Sequence, residues 1–323
     1  MTQSSLSALP ERFLERLQAI IPPAELHRVL DTMIKPRNTC FRVNTLKAST
    51  PEVLSMLKSA GIIPRAVPWY EDAFWIYPGM REKLLNHAVY REGLIYLQNL
   101  SSMVPPLILE PQPGEHILDL TAAPGSKTLQ ISALMHNTGQ IVAVDKVRPR
   151  YYRLLRNLSM QGATNVTPVL TNGVLFWKRH PEAFDRVLLD APCSTEGRIH
   201  SADPESYRYW SERKIKEMTQ KQKRLIYSAV QVLKPGGVLV YSTCSFAPEE
   251  NEAIVTHVLK KFGDALEPEP IDLKPGNVQP ALTAWKGRSF HPAVKHAYRI
   301  LPTPSMEAFF VCKFRKRKPT LPA

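Results

Sequence analysis

The chain has 323 residues, 44% of them apolar, and carries a formal charge of +13. That length supports one large domain plus a smaller one, and the apolar share excludes a disordered chain. The longest apolar run, Ile226 to Tyr241, is broken by Lys234-Pro235-Gly236-Gly237, which excludes a membrane span, and the first residues lack a signal-peptide core. Four cysteines without close pairing point to a reducing compartment, read as the cytoplasm. The basic surplus favours a polyanionic partner, because neutralised phosphates release counterions. Nucleic acid is preferred over a merely basic enzyme on distribution: Lys146, Arg148, Arg150, Arg153 and Arg156 form one run. Lys313, Arg315, Lys316, Arg317 and Lys318 form a second, from which phosphate contacts are expected.

In chain order, Leu9, Phe13, Leu17 and Ile20 recur at helical spacing, as do Leu26, Val29, Leu30 and Met33, so residues 1–37 read as amphipathic helices split by Pro22-Pro23. Residues 38–92 read as a small α+β, RNA-binding-like domain: strand Cys40 to Asn44, helix Glu52 to Ser59, then strands Arg65 to Val67 and Phe74 to Tyr77. From Gly93 to 318 strand and helix alternate, which argues for a mostly parallel α/β sheet with right-handed crossovers. Strands are expected at His116 to Leu120, Gln140 to Val144, Val166 to Leu170, Arg186 to Leu189 and Val238 to Tyr241, with helices from Ser126, Arg148, Ser211 and Glu249. Arg299 to Leu301 and Ala308 to Phe314 read as a closing antiparallel pair, and residues 319–323 as a tail. Pro105-Pro106 is read as part of a connection.

Chemistry concentrates at the carboxyl ends of these strands, where open α/β sheets bind ligands. Asp119-Leu120-Thr121-Ala122-Ala123-Pro124-Gly125-Ser126-Lys127-Thr128 is a strand-to-helix turn whose small residues let a ligand approach the backbone. A phosphate-binding P-loop would need Gly at Thr121 and Ser126, so that reading fails. Asp145 follows the turn by about twenty residues, the offset at which an acid binds ribose hydroxyls, which points to an adenosine-containing ligand. Asn172, after the third strand, is a candidate for the adenine edge. Two cysteines each follow an apolar run: Cys193 in Leu189-Asp190-Ala191-Pro192-Cys193-Ser194 and Cys244 in Tyr241-Ser242-Thr243-Cys244-Ser245. One such cysteine is more often a small core residue; two in like positions, one beside Asp190, favour covalent chemistry. No metal-ligand set is read.

These motifs, with Phe41-Arg42-Val43-Asn44-Thr45-Leu46-Lys47, Tyr96 to Met103 and Pro248-Glu249-Glu250-Asn251-Glu252, resemble the RNA cytosine-C5 methyltransferases of the NSUN/Rsm type, and most resemble the bacterial RsmF-type ribosomal RNA enzymes. The resemblance implies a Rossmann-like class I methyltransferase sheet with an antiparallel C-terminal strand. It also implies S-adenosylmethionine as cofactor, held by Thr121, Ala122, Ala123, Pro124, Gly125, Ser126, Lys127, Asp145, Arg150, Asn172 and Asp190. It implies that Cys244 adds to cytosine C6, that Asp190, as a buried carboxylate, serves the N3 and N4 edge, and that Cys193 assists loss of the C5 proton. Lys127 favours the thiolate or pairs with Asp190. Arg42 and Asn44 are placed beside the pocket or at the domain interface. Three departures stand out: Asn172 replaces the family's usual Asp, Ala308 replaces Gly before Phe309-Phe310, and RsmF-type proteins commonly continue into further RNA-binding modules. The implied partner is RNA, rRNA ahead of tRNA, either naked or within a ribosomal subunit or assembly intermediate, with no membrane and the chain a monomer. A non-catalytic RNA-binding or ribosome-assembly factor is the alternative from another class.

Overall fold

The computed structural model describes residues 6–320. The first five residues of the N-terminal helical segment and the last three of the tail lie outside them. Helices α1 (Glu11–Ile20) and α2 (Pro23–Thr32) meet at the proline pair, and Pro23 opens α2 where its missing N–H loses no bond. Their apolar faces do not form a core of their own. Phe13, Leu17, Ile20 and Val29 pack with Ile199, Phe246, Leu301 and Ala308, so the segment straps the large domain.

The small domain is an antiparallel sheet of order β2-β3-β1-β4, built from β1 (Thr39–Val43), β2 (Arg65–Val67), β3 (Tyr70–Ile76) and β4 (Ile95–Leu97). Helix α3 (Thr50–Ser59) lies on it through Val53 and Leu57, started by a reciprocal Ser49–Glu52 capping box. Helices α4 (Arg81–Asn86) and α5 (Ala88–Arg91) lead into β4. The boundary placed at Gly93 falls one strand short, because β4 pairs with Phe41, Arg42 and Val43 of β1. Three residues are too few to display alternation, so this strand leaves no periodic trace in the sequence.

The large domain begins with α6 (Leu100–Leu109), which contains Pro105 and Pro106 rather than a connection. The Ser102 carbonyl, which Pro106 has no N–H to reach, accepts from Gln98 Nε2 at 3.0 Å instead. Five parallel strands follow: β5 (His116–Asp119), β6 (Gln140–Asp145), β7 (Val166–Leu170), β8 (Phe184–Asp190) and β9 (Leu233–Thr243), in the order β7-β6-β5-β8-β9. Between them run α7 (Ser126–Leu134), α8 (Arg148–Gln161) and α9 (Glu212–Val232), and α10 (Glu252–Phe262) follows β9. The order reverses between β5 and β8, which opens a crevice at their carboxyl ends. Beyond β9 the sheet turns antiparallel. The short strands β10 (Leu266–Glu269) and β11 (Val278–Pro280) and the small hairpin β12 (Ala284–Trp285) and β13 (Arg288–Ser289) precede β14 (Tyr298–Ile300) and β15 (Phe309–Lys316), and β15 lies between β9 and β14. The core sits on both faces of this sheet. No described helix is long and apolar enough to cross a membrane.

β15 overturns one expectation. Its basic run is matched by acids: Lys313 by Glu110, Arg315 by Glu269, Lys316 by Glu182, Arg317 by Glu267 and Lys318 by Asp264. Three of these acids come from β10 and the turn before it, β10 being antiparallel to β15. Lys316 is fully buried, its Nζ bonded also to the Val230 and Leu233 carbonyls at 3.0 and 2.8 Å. This run helps to close the fold, and it offers phosphate less unpaired charge than its sequence suggests.

Candidate active site

The crevice holds a cavity of about 530 Å³ lined by Thr121, Ala122, Ala123, Pro124, Ser126, Lys127, Asp145, Arg150, Asn172, Asp190, Cys193 and Cys244. Every candidate residue except Gly125 therefore faces one space. Gly125 acts from behind: its φ of +105° suits glycine, and a Cβ there would meet Leu154 Cδ1 at 2.8 Å.

The first wall is the turn after β5. Asp119 is buried beneath it, accepting from Thr128 Oγ1 at 2.7 Å and the Thr121 amide at 3.4 Å, and burial pushes its carboxyl up to about 6. The Ala122 amide bonds the Val144 carbonyl at 2.8 Å, which fastens the turn to β6, and the Ala123–Pro124 peptide is cis. The first bond of α7 runs from Leu129 N to Gly125 O, so the amides of Ser126 to Thr128 are left for an anion. Asp145 is nearly buried, with Oδ1 accepting from Val147 N at 2.8 Å and Oδ2 facing Arg150 at 3.3 Å. Asn172 Oδ1 accepts from Val174 N at 3.1 Å, leaving one lone pair and the amide NH₂ for a ligand.

The second wall carries the cysteines. Cys193 Sγ and Cys244 Sγ stand 3.4 Å apart, a hydrogen-bond distance, and both are free thiols. The shared hydrogen bond lowers the Cys244 pKa, with the Arg198 cation helping and burial opposing; the same bond, with burial, lifts Cys193 well above the ordinary thiol range. The opposed directions make Cys244 the thiol of the pair that ionises more readily. Asp190 accepts from Ser242 Oγ at 2.8 Å through Oδ1 and from Lys127 Nζ at 2.6 Å through Oδ2. Lys127, anchored also to Ser102 Oγ at 2.8 Å, is therefore the counter-ion of Asp190. Asp190 is not buried away from water as expected, since its side chain is 31% exposed to the cavity.

Three groups here were not singled out from the sequence. Arg198 is held beside Cys244 by the Gly197 amide on the Cys244 carbonyl at 2.9 Å, and its Nε bonds Glu307 at 3.2 Å, which leaves its terminal fork open to the cavity. Glu250 is buried and grips the Cys193 loop, accepting from Ser194 N at 2.9 Å, Gln222 Nε2 at 3.1 Å and Ser194 Oγ; burial pushes its carboxyl up to about 7. The two loops meet at Ser194 Oγ and Ser245 Oγ, 3.0 Å apart. Glu196 then accepts from Ser245 Oγ at 3.1 Å and Trp210 Nε1 at 2.8 Å. The helix expected from Glu249 starts at Glu252 because Glu249 and Glu250 are drawn into contacts with Arg16 and Ser194. Glu250 stands in a motif that the sequence displays; Arg198 and Glu307 carry no sequence signal. Arg42 and Asn44 sit at the domain interface: Asn44 Nδ2 reaches the Gly93 and Gln161 carbonyls at 2.9 and 2.8 Å, and Arg42 Nε reaches Gln98 at 3.1 Å.

Comparison with known proteins matches residues 106–315 to the family described as 16S rRNA methyltransferase RsmB/F, and residues 9–100 to the N-terminal domain of 16S rRNA methyltransferase RsmF. The chain is 39% identical over 312 residues, 95% of its length, to a ribosomal RNA small subunit methyltransferase F of Vibrio vulnificus, and spans 64% of that protein. It is 40% identical over 288 residues to a tRNA (cytosine(49)-C(5))-methyltransferase of Pyrococcus abyssi, covering 88% of this chain and 90% of that one. A solved methyltransferase homolog from Pyrococcus horikoshii superposes with a TM-score of 0.83 at 34% identity, over 98% of this chain and all of that one. With two family models side by side on a class I methyltransferase sheet, the chain belongs to the RsmB/F family of 16S rRNA methyltransferases.

Proposed function

We propose that the chain is an S-adenosylmethionine-dependent RNA cytosine-C5 methyltransferase acting on rRNA through a covalent Cys244–C6 adduct. The observation that carries this is the pair of free thiols 3.4 Å apart, beside a lysine-held Asp190 in the crevice. The cofactor residues pass a fit test. The free α7 amides suit a carboxylate, and Asp145 keeps acceptor capacity for a ribose diol. When bound, the cofactor supplies an electrophilic sulfonium methyl.

The side chains support the remaining steps. Cytosine C5 is a poor nucleophile, and addition of the Cys244 thiolate to C6 makes it enamine-like. Asp190, fixed by Ser242 and Lys127, is oriented to take the N3 and N4 edge. The hydrogen bond to Cys244, with burial behind it, favours the protonated form of Cys193. Once Cys244 is bonded to C6 the largest of the causes that favour the protonated form of Cys193 is removed, burial remaining, and Cys193, its proton passed to water, serves as the base. It then takes the C5 proton as Cys244 departs. Four free cysteines among the described residues fit a reducing, cytoplasmic setting, and no oligomer is needed to complete the cavity.

A tRNA substrate is the second reading, favoured by the 90% coverage of the archaeal tRNA enzyme, against 64% of the bacterial rRNA enzyme. The test uses labelled cofactor with naked 16S rRNA, small subunits and tRNA. Cys244→Ala abolishes methylation and any adduct; Cys193→Ala transfers methyl once and accumulates a protein–RNA adduct that survives denaturing electrophoresis. An adduct from Cys244→Ala and none from Cys193→Ala reverses the roles, and full activity in both variants refutes covalent catalysis.

A further inference from the structure

One group of cations left over once ion pairs are discounted lies on α8 and just before it, beside the cavity that Lys221 of α9 also lines. Arg148, Arg153, Arg156 and the preceding Lys146 are exposed and have no hydrogen-bond or ion-pair partner among the described residues. This contrasts with the β15 run, where every cation has its acid. On a helix, residues four apart share a face, so Arg148, Tyr152 and Arg156 form one stripe about 12 Å long. The opposite face, Leu154, Asn157, Leu158 and Gln161, is buried against the sheet. Tyr152 is 61% exposed between the two arginines, an aromatic ring with no core to fill. The stripe itself does not line the cavity that holds the two cysteines, but its chain neighbours Lys146 and Arg153 do.

We infer that the exposed face of α8 is a binding track for single-stranded RNA flanking the target cytosine, with Arg148 and Arg156 on phosphates and Tyr152 stacked on an unpaired base. The inference rests on the proposed function, since a base delivered to the cavity needs its neighbouring backbone held at this rim. Alternating cations and an aromatic ring suit a single strand, whose bases are free to stack; a paired helix hides them. Tyr152 is the one exposed large apolar side chain between the arginines, Tyr151 and Leu155 being half-buried, which argues against a protein groove, and the lack of acidic partners leaves the charge for phosphate.

The test measures binding of a fluorescein-labelled mixed-sequence single-stranded RNA and of a duplex of equal length, alongside methyl transfer to 16S rRNA and tRNA. The Arg148→Ala/Arg156→Ala double variant lowers the slope of log affinity against log salt by about 1.4 for the single strand, at roughly 0.7 per phosphate contact. Tyr152→Ala weakens the single strand by roughly 5- to 150-fold, as expected for one lost stack, and Tyr152→Phe restores it. Neither variant touches the cofactor residues, so calorimetric cofactor affinity and melting temperature stay at wild-type values and report an intact fold. An unchanged slope and affinity in both variants, in an enzyme whose wild type methylates RNA, overturns the track while leaving the proposed function standing. Equal losses for strand and duplex overturn the single-strand assignment. A wild type that methylates no RNA strikes the underlying function, and is recognised separately by the methyl-transfer arm.

Discussion

Asp145→Asn isolates the ribose contact without dismantling the turn that carries it. The asparagine keeps an Oδ1 acceptor for Val147 N, now 2.8 Å from the carboxylate, so the exit from β6 is preserved. What changes is the second oxygen, which becomes a donor facing Arg150, 3.3 Å away, and the negative charge is lost. A hydrogen bond to a charged group contributes about 1.5–3 kcal/mol, and a carboxylate spanning a diol makes two. The amide oxygen still serves one hydroxyl, so the net loss is about 1.5–3 kcal/mol, which is roughly 10- to 150-fold in affinity. Calorimetric titration with S-adenosylmethionine measures it, with the melting curve as a control on folding. Affinity within about three-fold of wild type, a difference under 1 kcal/mol, refutes the assignment of Asp145 to the ribose.

Two further outcomes follow from the electrostatics. Arg198→Met removes a cation that favours the Cys244 thiolate, so the pH midpoint of Cys244 alkylation by iodoacetamide moves upward; a midpoint that stays put or falls shows that Arg198 does not face the sulfur. Lys316→Met deletes a buried ammonium bonded to two carbonyls and Glu182, and is expected to cost about 1–3 kcal/mol in urea unfolding without altering the salt slope of RNA binding. A changed slope would restore the β15 run as a phosphate track.

The sequence displays this site unevenly, for physical reasons. Asp119, Asp145, Asp190 and Cys244 are legible because each ends or directly follows a run of strand residues, and a parallel sheet collects such ends on one edge. Arg198 and Glu307 meet across 109 residues and belong to no periodic segment, so their pairing with each other and with Cys244 exists only in the folded chain. The β15 run misleads because a string of like charges in sequence says nothing about the strand opposite. Here Glu267 and Glu269 of β10 lie in antiparallel register with it and absorb the charge. The strap formed by α1 and α2 is similarly invisible: amphipathic spacing announces that a face is buried, but not that its partners are Ile199, Phe246 and Leu301, far along the chain.

Register is what turns two ordinary cysteines into a reactive pair. Asp190 on β8 is paired with Ser242 on β9, and that alignment puts Ser242 Oγ on Asp190 Oδ1 at 2.8 Å. From the same rung Cys193 lies three residues onward and Cys244 two, so the loops leaving neighbouring parallel strands bring their sulfurs face to face. A slip of one residue between β8 and β9 would send Cys244 to the opposite face and leave Asp190 beside Thr243 or Tyr241. Such slips are opposed at both ends of the motif. The apolar residues of β8 and β9 are buried, and beyond the strands Glu250, Ser194, Ser245 and Glu196 tie one loop to the other through hydrogen bonds with no solvent to exchange into. Buried carboxylates cost desolvation, which the raised proton affinity of Glu250 reflects, so the network weakens the ground it stands on while fixing geometry. That exchange suits a site in which two thiols with separate roles must stay 3.4 Å apart, where a shift of 1 Å would break the hydrogen bond that separates their proton affinities.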